Sequence, residues 1–334
     1  MPRKKKNKPI EKPIPLIMID GMKKLNPDVF DTIAASADLV DRKMKDIKFD
    51  SRCYIPSYFV TKMRDEFYTN IDVGDTPILF HLASWRKFKQ IYSFDSDFVN
   101  ILVESATDEL IPCDALKNVP YPSFYVQIDG DSDIGYGVIG FFVAFDIVGD
   151  DVLLDLMGIT RDSGMISVPI MLKDGMSIES SFKEIKRLCG NHVSRRKLDI
   201  MQDFAVKAIQ LILYICAVNA DIAENPKQKS YMRKPSNFKH EKDIEREIQK
   251  WDVGVRIGQT IRMHDMNESA EHGESSGRSG SHSKKRPHMR RGHFHHYWKG
   301  SKIFNNQQLV LKWVAPTFIN GNLDDLPAVI TNVE

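Results

Sequence analysis

Cysteine is scarce in this sequence, and its few positions lie far apart. The chain of 334 residues has four cysteines, Cys53, Cys113, Cys189 and Cys216, and no two of them form a CxxC pair. Such wide spacing argues against the disulfide framework of a small secreted protein. We therefore expect reduced, buried thiols in a cytosolic protein.

Long apolar runs are missing as well. The longest, residues 211–218, is too short to cross a bilayer, which needs about 20 apolar residues. The basic start MPRKKKNKP leads into proline-broken sequence and not into an apolar segment, so no secretory signal is expected. These two absences predict a soluble protein with no membrane partner.

Acidic residues are absent from one long stretch. The formal net charge of the chain is only +2, yet no Asp or Glu occurs between residues 275 and 322. That stretch holds the following cations: Arg278, Lys284, Lys285, Arg286, Arg290, Arg291, Lys299, Lys302 and Lys312. A positive field of this kind favours a negatively charged partner.

Composition divides the chain into four segments. Residues 1–15 are predicted to be a disordered basic arm, because lysines and prolines dominate them. Residues 16–263 have the mixed pattern of an α+β core. Residues 264–283 are rich in Ser and Gly and poor in large apolar groups, which predicts a mobile insert. Residues 284–334 carry a basic, histidine-rich motif and strands that complete the same domain.

The segments after Pro120 have strand character. They cover residues 123–128, 138–148, 152–157 and 165–171, and the turn dipeptides DG, GD and SG separate them. Short turns favour antiparallel pairing, because parallel strands need long crossovers. We therefore predict an α+β fold: a central antiparallel sheet with packed helices, and a C-terminal β-hairpin that carries the basic and histidine motif.

Apolar residues at helical spacing predict the packed helices. One begins after an N-cap at Ser177, and the next carries an apolar stripe over residues 204–215. Trp85, Phe88 and Tyr92 predict a further helix that ends near residue 93. Residues 241–250 indicate a charged, solvent-exposed helix face.

The motif itself reads KKRPHMRRGHFHHYWKG, residues 284–300. If residues 291–298 form a strand, alternation separates its side chains into two sets. One face carries Arg291, His293, His295 and Tyr297, and the other carries Phe294, His296 and Trp298. We expect the strand to bury Phe294 and Trp298 and to present its Arg, His and Tyr side chains to a partner.

Several chemistries compete for that polar face. A metal site would use His288, His293, His295 and His296. Adjacent histidines point to opposite sides of a strand, however, and nearby cations oppose a dication, so no metal and no cofactor is expected. A metal-independent ribonuclease would use His293 and His295 as acid and base, with Arg291 on the phosphate.

Binding requires fewer precisely placed groups in the motif than catalysis requires. Nucleic-acid binding needs only cations for phosphate and rings for stacking, and peptide capture needs a cleft. A purely structural alternative is that the histidines bond within the fold and the arginines pair with acidic residues 241–247.

Two runs of this sequence carry a resemblance to a known family. KRPHMRRGHFHHYWKG, followed by a spacer and LVLKWVAPTFING, resembles the C-terminal signature of a family of type V-A anti-CRISPR proteins. Weaker resemblance extends upstream through SWRKFKQIYSFD and YPSFYVQID, so that it covers roughly residues 80–320. The first 50 residues and the Ser/Gly-rich segment show no such likeness.

The resemblance implies a function and a set of partners. Members of the family are described as lowering production of the type V-A effector nuclease: they recognise its nascent N-terminal peptide during translation, and its mRNA is then degraded. A phage or plasmid protein in the bacterial cytoplasm is implied, with the ribosome or mRNA, and a host nuclease, as further partners. RNA cleavage and direct inhibition of the mature nuclease stay open as alternatives.

The resemblance supplies no catalytic residues, so none is assigned beyond the ribonuclease alternative. The candidate binding residues are the polar and aromatic positions of the motif: Arg286, His288, Arg290, Arg291, His293, His295, Tyr297, Trp298 and Lys299.

Overall fold

The computed structural model describes residues 12–43, 52–105, 111–130, 133–189, 193–224, 248–263, 288–304 and 306–319. The helices are α1 (Ile14–Leu25), α2 (Val29–Lys43), α3 (Ser57–Phe67), α4 (Thr76–Phe88), α5 (Ser96–Val103), α6 (Ile178–Cys189) and α7 (Arg195–Cys216). Residues 255–263 are also helical. Short 3-10 helices cover Val73–Asp75 and Cys113–Asn118.

The strands form one large sheet and two small ones. They are β1 (Gln90–Phe94), β2 (Ser123–Ile128), β3 (Val138–Val148), β4 (Asp151–Thr160), β5 (Met165–Met171), β6 (Ile222–Glu224), β7 (Gln249–Val253), β8 (His288–Arg290), β9 (His293–Lys299), β10 (Gln308–Val314) and β11 (Thr317–Ile319). The large sheet has the order β5-β4-β3-β2-β1-β7-β6, and β9 pairs with β10, and β8 with β11, outside it.

The predicted α+β class and C-terminal hairpin are confirmed, but the central sheet is mixed and not wholly antiparallel. Strands β2 to β5 form the predicted antiparallel meander. Strand β1 instead runs parallel to both β2 and β7. The long connections that hold α5 and α7 give the chain the length that a parallel crossover requires.

Both faces of the central sheet are buried. On one face α1 to α4 cover side chains such as Ile91, Tyr125 and Phe142. On the other face α5, α6, α7 and the β9–β10 hairpin cover neighbours such as Phe94 and Phe141. Burial on two sides explains why these strands are apolar at nearly every position and do not alternate with polar residues.

The helix predicted from Trp85, Phe88 and Tyr92 is shorter in the structure than its apolar spacing indicates. Trp85 lies in α4 as expected, but the helix ends at Phe88 and Tyr92 lies on β1. Lys89 adopts a left-handed conformation, with φ of 53°, and its N–H donates to the carbonyl of Trp85. The indole of Trp85 donates to the carbonyl of Gln90, which fixes the start of the strand. Apolar spacing alone does not indicate a left-handed cap of this kind, which ends the helix.

Other segment boundaries also differ from the predictions. Helix α1 begins at Ile14, so the last two residues of the predicted disordered arm are helical, and residues 1–11 lie outside the described part. Gln249 and Lys250 belong to β7 and not to a charged helix. The predicted insert, residues 264–283, is likewise outside the described residues.

The prediction of buried thiols is confirmed for Cys53 and Cys113, whereas Cys216 is only half-buried. Cys53, Cys113 and Cys216 are free thiols. Burial raises the pKa of Cys113 to about 11, so its thiol stays protonated. Among the described helices, none combines the length and the apolar character that crossing a membrane requires.

A buried carboxylate joins α3 to the sheet and gives a testable pH dependence. Asp146 is 3% exposed; its Oδ1 accepts from the N–H groups of Ser57 and Ile147, and its Oδ2 accepts from the Ser57 hydroxyl. Burial raises the pKa of Asp146 above its usual value. A raised pKa means that the contribution of Asp146 to stability is largest at low pH and declines as pH rises through the folded pKa.

We expect Asp146→Asn to keep the two backbone hydrogen bonds through its Oδ1 and to reverse the third, with its amide N–H donating to the Ser57 hydroxyl, so that no charge is buried. Its free energy of unfolding at pH 7 should stay within about 1 kcal/mol of wild type, and its advantage over wild type should grow with pH, while Asp146→Ala, which leaves two N–H groups without acceptors, should lose about 2–3 kcal/mol. Urea unfolding at acidic and neutral pH measures both. An Asn variant that is as unstable as the Ala variant would contradict this account.

Candidate functional site

The β9–β10 hairpin, which carries the motif, is fastened to the end of α7. Val218 donates its N–H to the carbonyl of Leu311 on β10. The side-chain amide of Asn219 donates to the carbonyl of Trp313 and accepts from the Trp313 N–H. These bonds cover the outer edge of β10, so the hairpin position follows from where α7 ends.

An aromatic cluster fixes the base of the hairpin. The Trp313 ring lies edge-to-face with Phe98 and with Tyr214, each at a centroid distance of 5.3 Å. Phe98 and Tyr214 lie 4.7 Å apart, and the Trp313 indole donates to the hydroxyl of Ser105. Phe294 lies opposite Trp313 in the register and is 1% exposed. The base of the hairpin is therefore part of the main core.

Gly292, within the sequence RRGHF, is required by close packing. A Cβ at this position would lie 2.9 Å from Cζ2 of Trp313 and 3.1 Å from the carbonyl oxygen of Val314. The chain therefore passes directly over the tryptophan between β8 and β9, and a glycine is the residue that fits such a close approach.

One face of the hairpin presents polar and aromatic groups to solvent. We call the hairpin face the surface formed by His293, His295, Tyr297, Lys299 and Lys312. The rings of His295 and Tyr297 are stacked at 6.2 Å, and the Lys312 ammonium lies 5.7 Å from the centre of the Tyr297 ring. His293 is half-buried and the other β9 members are exposed. The predicted alternation is confirmed here, and Lys312 joins the face although its sequence position gave no reason to count it among the candidate binding residues.

The predicted burial of Trp298 is wrong. Its side chain is 52% exposed, although it shares a face with the buried Phe294. The hairpin runs past the edge of the core, so that only its base is covered and the end of its apolar face emerges. At the turn, Ile303 and Phe304 are 91% and 79% exposed. Alternation shows which face of a strand a side chain occupies, but it does not show how far the core beneath that face extends.

Strand β9 is an edge strand. Within the described residues it pairs with β10 and with no other strand. The backbone groups of Leu311 and Trp313 point away from β9, towards Val218 and Asn219. In an antiparallel pair, two directly opposite residues either both direct their backbone groups at the partner strand or both direct them away from it. Phe294 lies opposite Trp313, so the backbone groups of Phe294, and of Trp298 four residues further along β9, point away from β10. Trp298, beside this edge, is 52% exposed.

The remaining candidate residues lie before or beside the hairpin. His288 and Arg290 belong to β8, which pairs with β11, and Arg291 follows as an exposed residue between β8 and β9. Arg286 lies outside the described residues. Arg291 and Lys299 take part in none of the ion pairs found in the described part of the chain, so their charges add to the positive field of this end.

The histidines of β9 do not converge on one point. His295 and His296 alternate along the strand, and within the described ranges no three His, Cys, Asp or Glu side chains meet at metal-binding distance. His293 and His295 share the hairpin face, about 7 Å apart along the strand. The surface suits contact with an extended, charged partner.

The fold and this hairpin define an α+β protein with a basic, aromatic strand beside its core. The model of the AcrVA2-like family, described as the anti-CRISPR type V subtype A2 family, matches residues 92–321. That match covers more than half of the chain, and the protein therefore belongs to this family. Membership supports an anti-CRISPR function.

Two relatives extend the likeness beyond the family model. Protein FinQ of Escherichia coli is 25% identical over 276 residues, covering 75% of this chain and 78% of its own. The crystal structure of AcrVA2 superimposes with a TM-score of 0.52 at 17% identity, over 90% of this chain and 98% of that chain. At that identity the superposition shows a shared fold.

Proposed function

We propose that this anti-CRISPR protein lowers production of a type V-A effector nuclease in the bacterial cytoplasm. It binds the N-terminal peptide of the nuclease as that peptide emerges from the ribosome, and the encoding mRNA is then degraded, with a host nuclease as the cutting partner. The observation that carries the proposal is the outer edge of β9, which pairs with no strand among the described residues and is bordered by the hairpin face on one side and by Trp298 on the other.

A nascent N-terminus matches an edge strand in form. It leaves the ribosome before it can fold, so its backbone groups are unpaired, and an exposed sheet edge offers the complementary row of donors and acceptors. Main-chain pairing supplies affinity for any extended chain, and side chains that alternate between the two faces supply selectivity.

The two borders of the edge differ in chemistry, which gives the pairing a preference. On the hairpin face, Tyr297 and Lys312 offer a ring and a cation, whereas Trp298 on the opposite face offers an exposed apolar surface. A peptide that alternates acidic or polar residues with apolar ones fits both borders. The same cations also suit contact with ribosomal RNA or mRNA beside the peptide.

The test compares two versions of the effector gene in cells that express this protein. One version has the native N-terminal codons; in the other, the same codons are frameshifted and the frame is then restored, which changes the peptide and leaves the RNA almost unchanged. We expect effector mRNA and protein to fall only for the native version. Both are measured by quantitative reverse transcription and by immunoblot.

Two other outcomes would reject the proposal in favour of a named competitor. Equal loss of both mRNAs would indicate that RNA is the target and would favour cleavage by His293 and His295 with Arg291. Purified protein would then cut RNA in the presence of a chelator. Unchanged effector abundance with blocked interference would instead indicate a direct inhibitor of the mature nuclease.

A paired substitution tests the hairpin face. We expect Tyr297→Ala/Lys312→Ala to weaken binding of a synthetic effector N-terminal peptide about tenfold, since tyrosine is enriched among the few interface residues whose truncation costs more than about 1 kcal/mol, and about 1.4 kcal/mol is tenfold. Fluorescence anisotropy measures the peptide Kd, and effector mRNA should recover in the same variant.

The chain offers a closely matched control for that substitution. Tyr58 and Lys62 on α3 form the same pair, with the ammonium 5.7 Å from an exposed tyrosine ring, on the opposite side of the sheet. Tyr58→Ala/Lys62→Ala should leave peptide affinity and effector mRNA loss unchanged. Equal weakening by both double variants would mean that the hairpin face is not the binding surface.

A further inference from the structure

A second cationic surface lies at the junction of α6 and α7. The sequence from residue 179 to residue 199 holds six cations against three carboxylates. We call the corner patch the set Lys183, Lys186, Arg187, Arg195, Arg196 and Lys197. All six side chains are exposed. Five residues separate the helices, so their ends lie within about 20 Å of each other.

Only part of this charge is balanced within the fold. Lys183 pairs with Glu179 at 2.7 Å, and Arg187 pairs with Glu184 at 2.7 Å. Lys186 and the three consecutive cations of α7 take part in none of the ion pairs that the described residues form. Asp199, one turn further along α7, is exposed and pairs with none of them either.

The position of the α7 cations is electrostatically unfavourable. Arg195, Arg196 and Lys197 occupy the first turn, which contains no acidic residue. A helix N-terminus carries a partial positive charge, so cations there oppose the helix dipole, and three in succession also repel one another. Ser194 caps the helix by accepting from the Lys197 N–H, which needs no cation. Local stability therefore does not account for these residues.

The surroundings of the patch favour RNA over a lipid surface. Between Met165 and Val206 no described large apolar side chain is exposed, so no described group that neighbours these cations in sequence is suited to insertion into a bilayer. A row of unbalanced, exposed cations on two helices suits the regularly spaced phosphates of a nucleic-acid backbone, which need no apolar contact.

The patch lies far from the hairpin. Helix α7 has 22 residues and is therefore about 33 Å long. Its first turn carries the patch, and the residues after its last turn bind β10. The two cationic surfaces thus mark opposite ends of one rigid helix. A strand with the stacked duplex rise of about 3.4 Å per nucleotide would need about ten nucleotides to contact both, and an extended single strand would need fewer.

We propose that the corner patch is an RNA-binding surface that contacts the phosphate backbone without sequence preference, at the opposite end of α7 from the peptide-binding hairpin. The inference deepens the proposed function by naming where the protein contacts RNA of the translating complex. It is tested by direct binding, so that its failure is separate from failure of the nascent-peptide proposal.

The experiment uses the purified full-length protein and a fluorescein-labelled polyuridine of about 20 nucleotides, long enough to reach both surfaces. Anisotropy titrations at several salt concentrations between about 50 and 200 mM give the affinity and its salt slope. The test variant is Arg195→Ala/Arg196→Ala/Lys197→Ala. The control is Lys23→Ala/Lys24→Ala/Lys62→Ala, which removes the same net charge from α1 and α3.

We expect the test variant to bind RNA at least about tenfold more weakly and to have a salt slope lower by about 2, since each single-strand phosphate contact contributes about 0.7. The control should change neither quantity by more than about twofold. The Tm of the test variant should equal or exceed that of wild type, because cations have been removed from a helix N-terminus. A merely structural role would instead lower the Tm.

Three results would overturn the inference. One is an unchanged salt slope in the test variant, and another is an equal loss in the control, which would indicate a nonspecific effect of net charge. The third is loss of binding to phosphatidylserine vesicles with RNA affinity intact, which would assign the patch to a membrane surface. If the test variant folds poorly, Lys186→Glu on α6 replaces it and must weaken RNA binding. Peptide affinity should be unchanged in every corner-patch variant.

Discussion

Trp313→Ala is expected to lower the free energy of unfolding by about 3–5 kcal/mol, because it removes a large buried ring and leaves a cavity. Trp313 is 4% exposed and packs against both Phe98 and Tyr214. The substitution also leaves the Ser105 hydroxyl without its indole donor. The ring joins α5, α7 and β10, so its loss loosens the base of the hairpin as well as the core.

The same hairpin supplies the control for this prediction. Trp298 is 52% exposed, and Trp298→Ala should cost less than about 1 kcal/mol of stability. Urea unfolding followed by far-UV circular dichroism measures both variants. Similar losses for the two tryptophans would contradict the placement of Trp298 outside the core. Because Trp313→Ala also releases the hairpin, it is unsuitable as a probe of binding.

Gly254→Ala is expected to cost about 2–5 kcal/mol, from overpacking of the core together with a left-handed backbone. Gly254 follows β7 with φ of 72°, and a Cβ there would lie 2.0 Å from Cδ1 of Phe98. Its N–H donates to the carbonyl of Asp221, which prevents the backbone from moving away. The added methyl group must therefore displace the Phe98 ring.

Gly149 separates the two causes of that cost. It also has a positive φ, 62°, but a Cβ there would meet no atom within 4 Å. Gly149→Ala should therefore show the backbone cost alone, about 1–2 kcal/mol. The difference between the two variants in chemical denaturation measures the clash with Phe98. No difference would mean that the ring moves aside freely.

The strands of the meander were predictable because their signals are local. Turn dipeptides bound each segment, and the apolar runs are long enough to cross the sheet. The N-cap of α6 was visible for the same reason: the Ser177 hydroxyl accepts from the Ser180 N–H, three residues along the chain. Such features depend only on residues that are neighbours in the sequence.

Strands β1 and β7 have no comparable local signal, because each is defined by its pairing with the other. The side chains of Gln90 and Gln249 are 159 positions apart in the sequence, and they meet between the two strands. The Gln90 amide N–H donates to the Gln249 side-chain oxygen at 2.9 Å. The Trp251 indole then donates to Gln90 at 2.8 Å. Neither segment has strong local strand character, since β1 continues the apolar spacing of α4 and β7 lies in charged sequence. Parallel pairing across a long crossover leaves no local signal.

By itself, the sequence determined the chemistry of this protein: an acid-free basic segment, a histidine-rich strand with alternating faces, and the family resemblance that the comparisons confirm. Tertiary structure alone decided which of those side chains meet solvent. Phe294 and Trp298 lie on one face of one strand, but the core ends between them, so the first is buried and the second is exposed. Periodicity fixes the direction of a side chain, whereas burial depends on what the rest of the chain places beneath it.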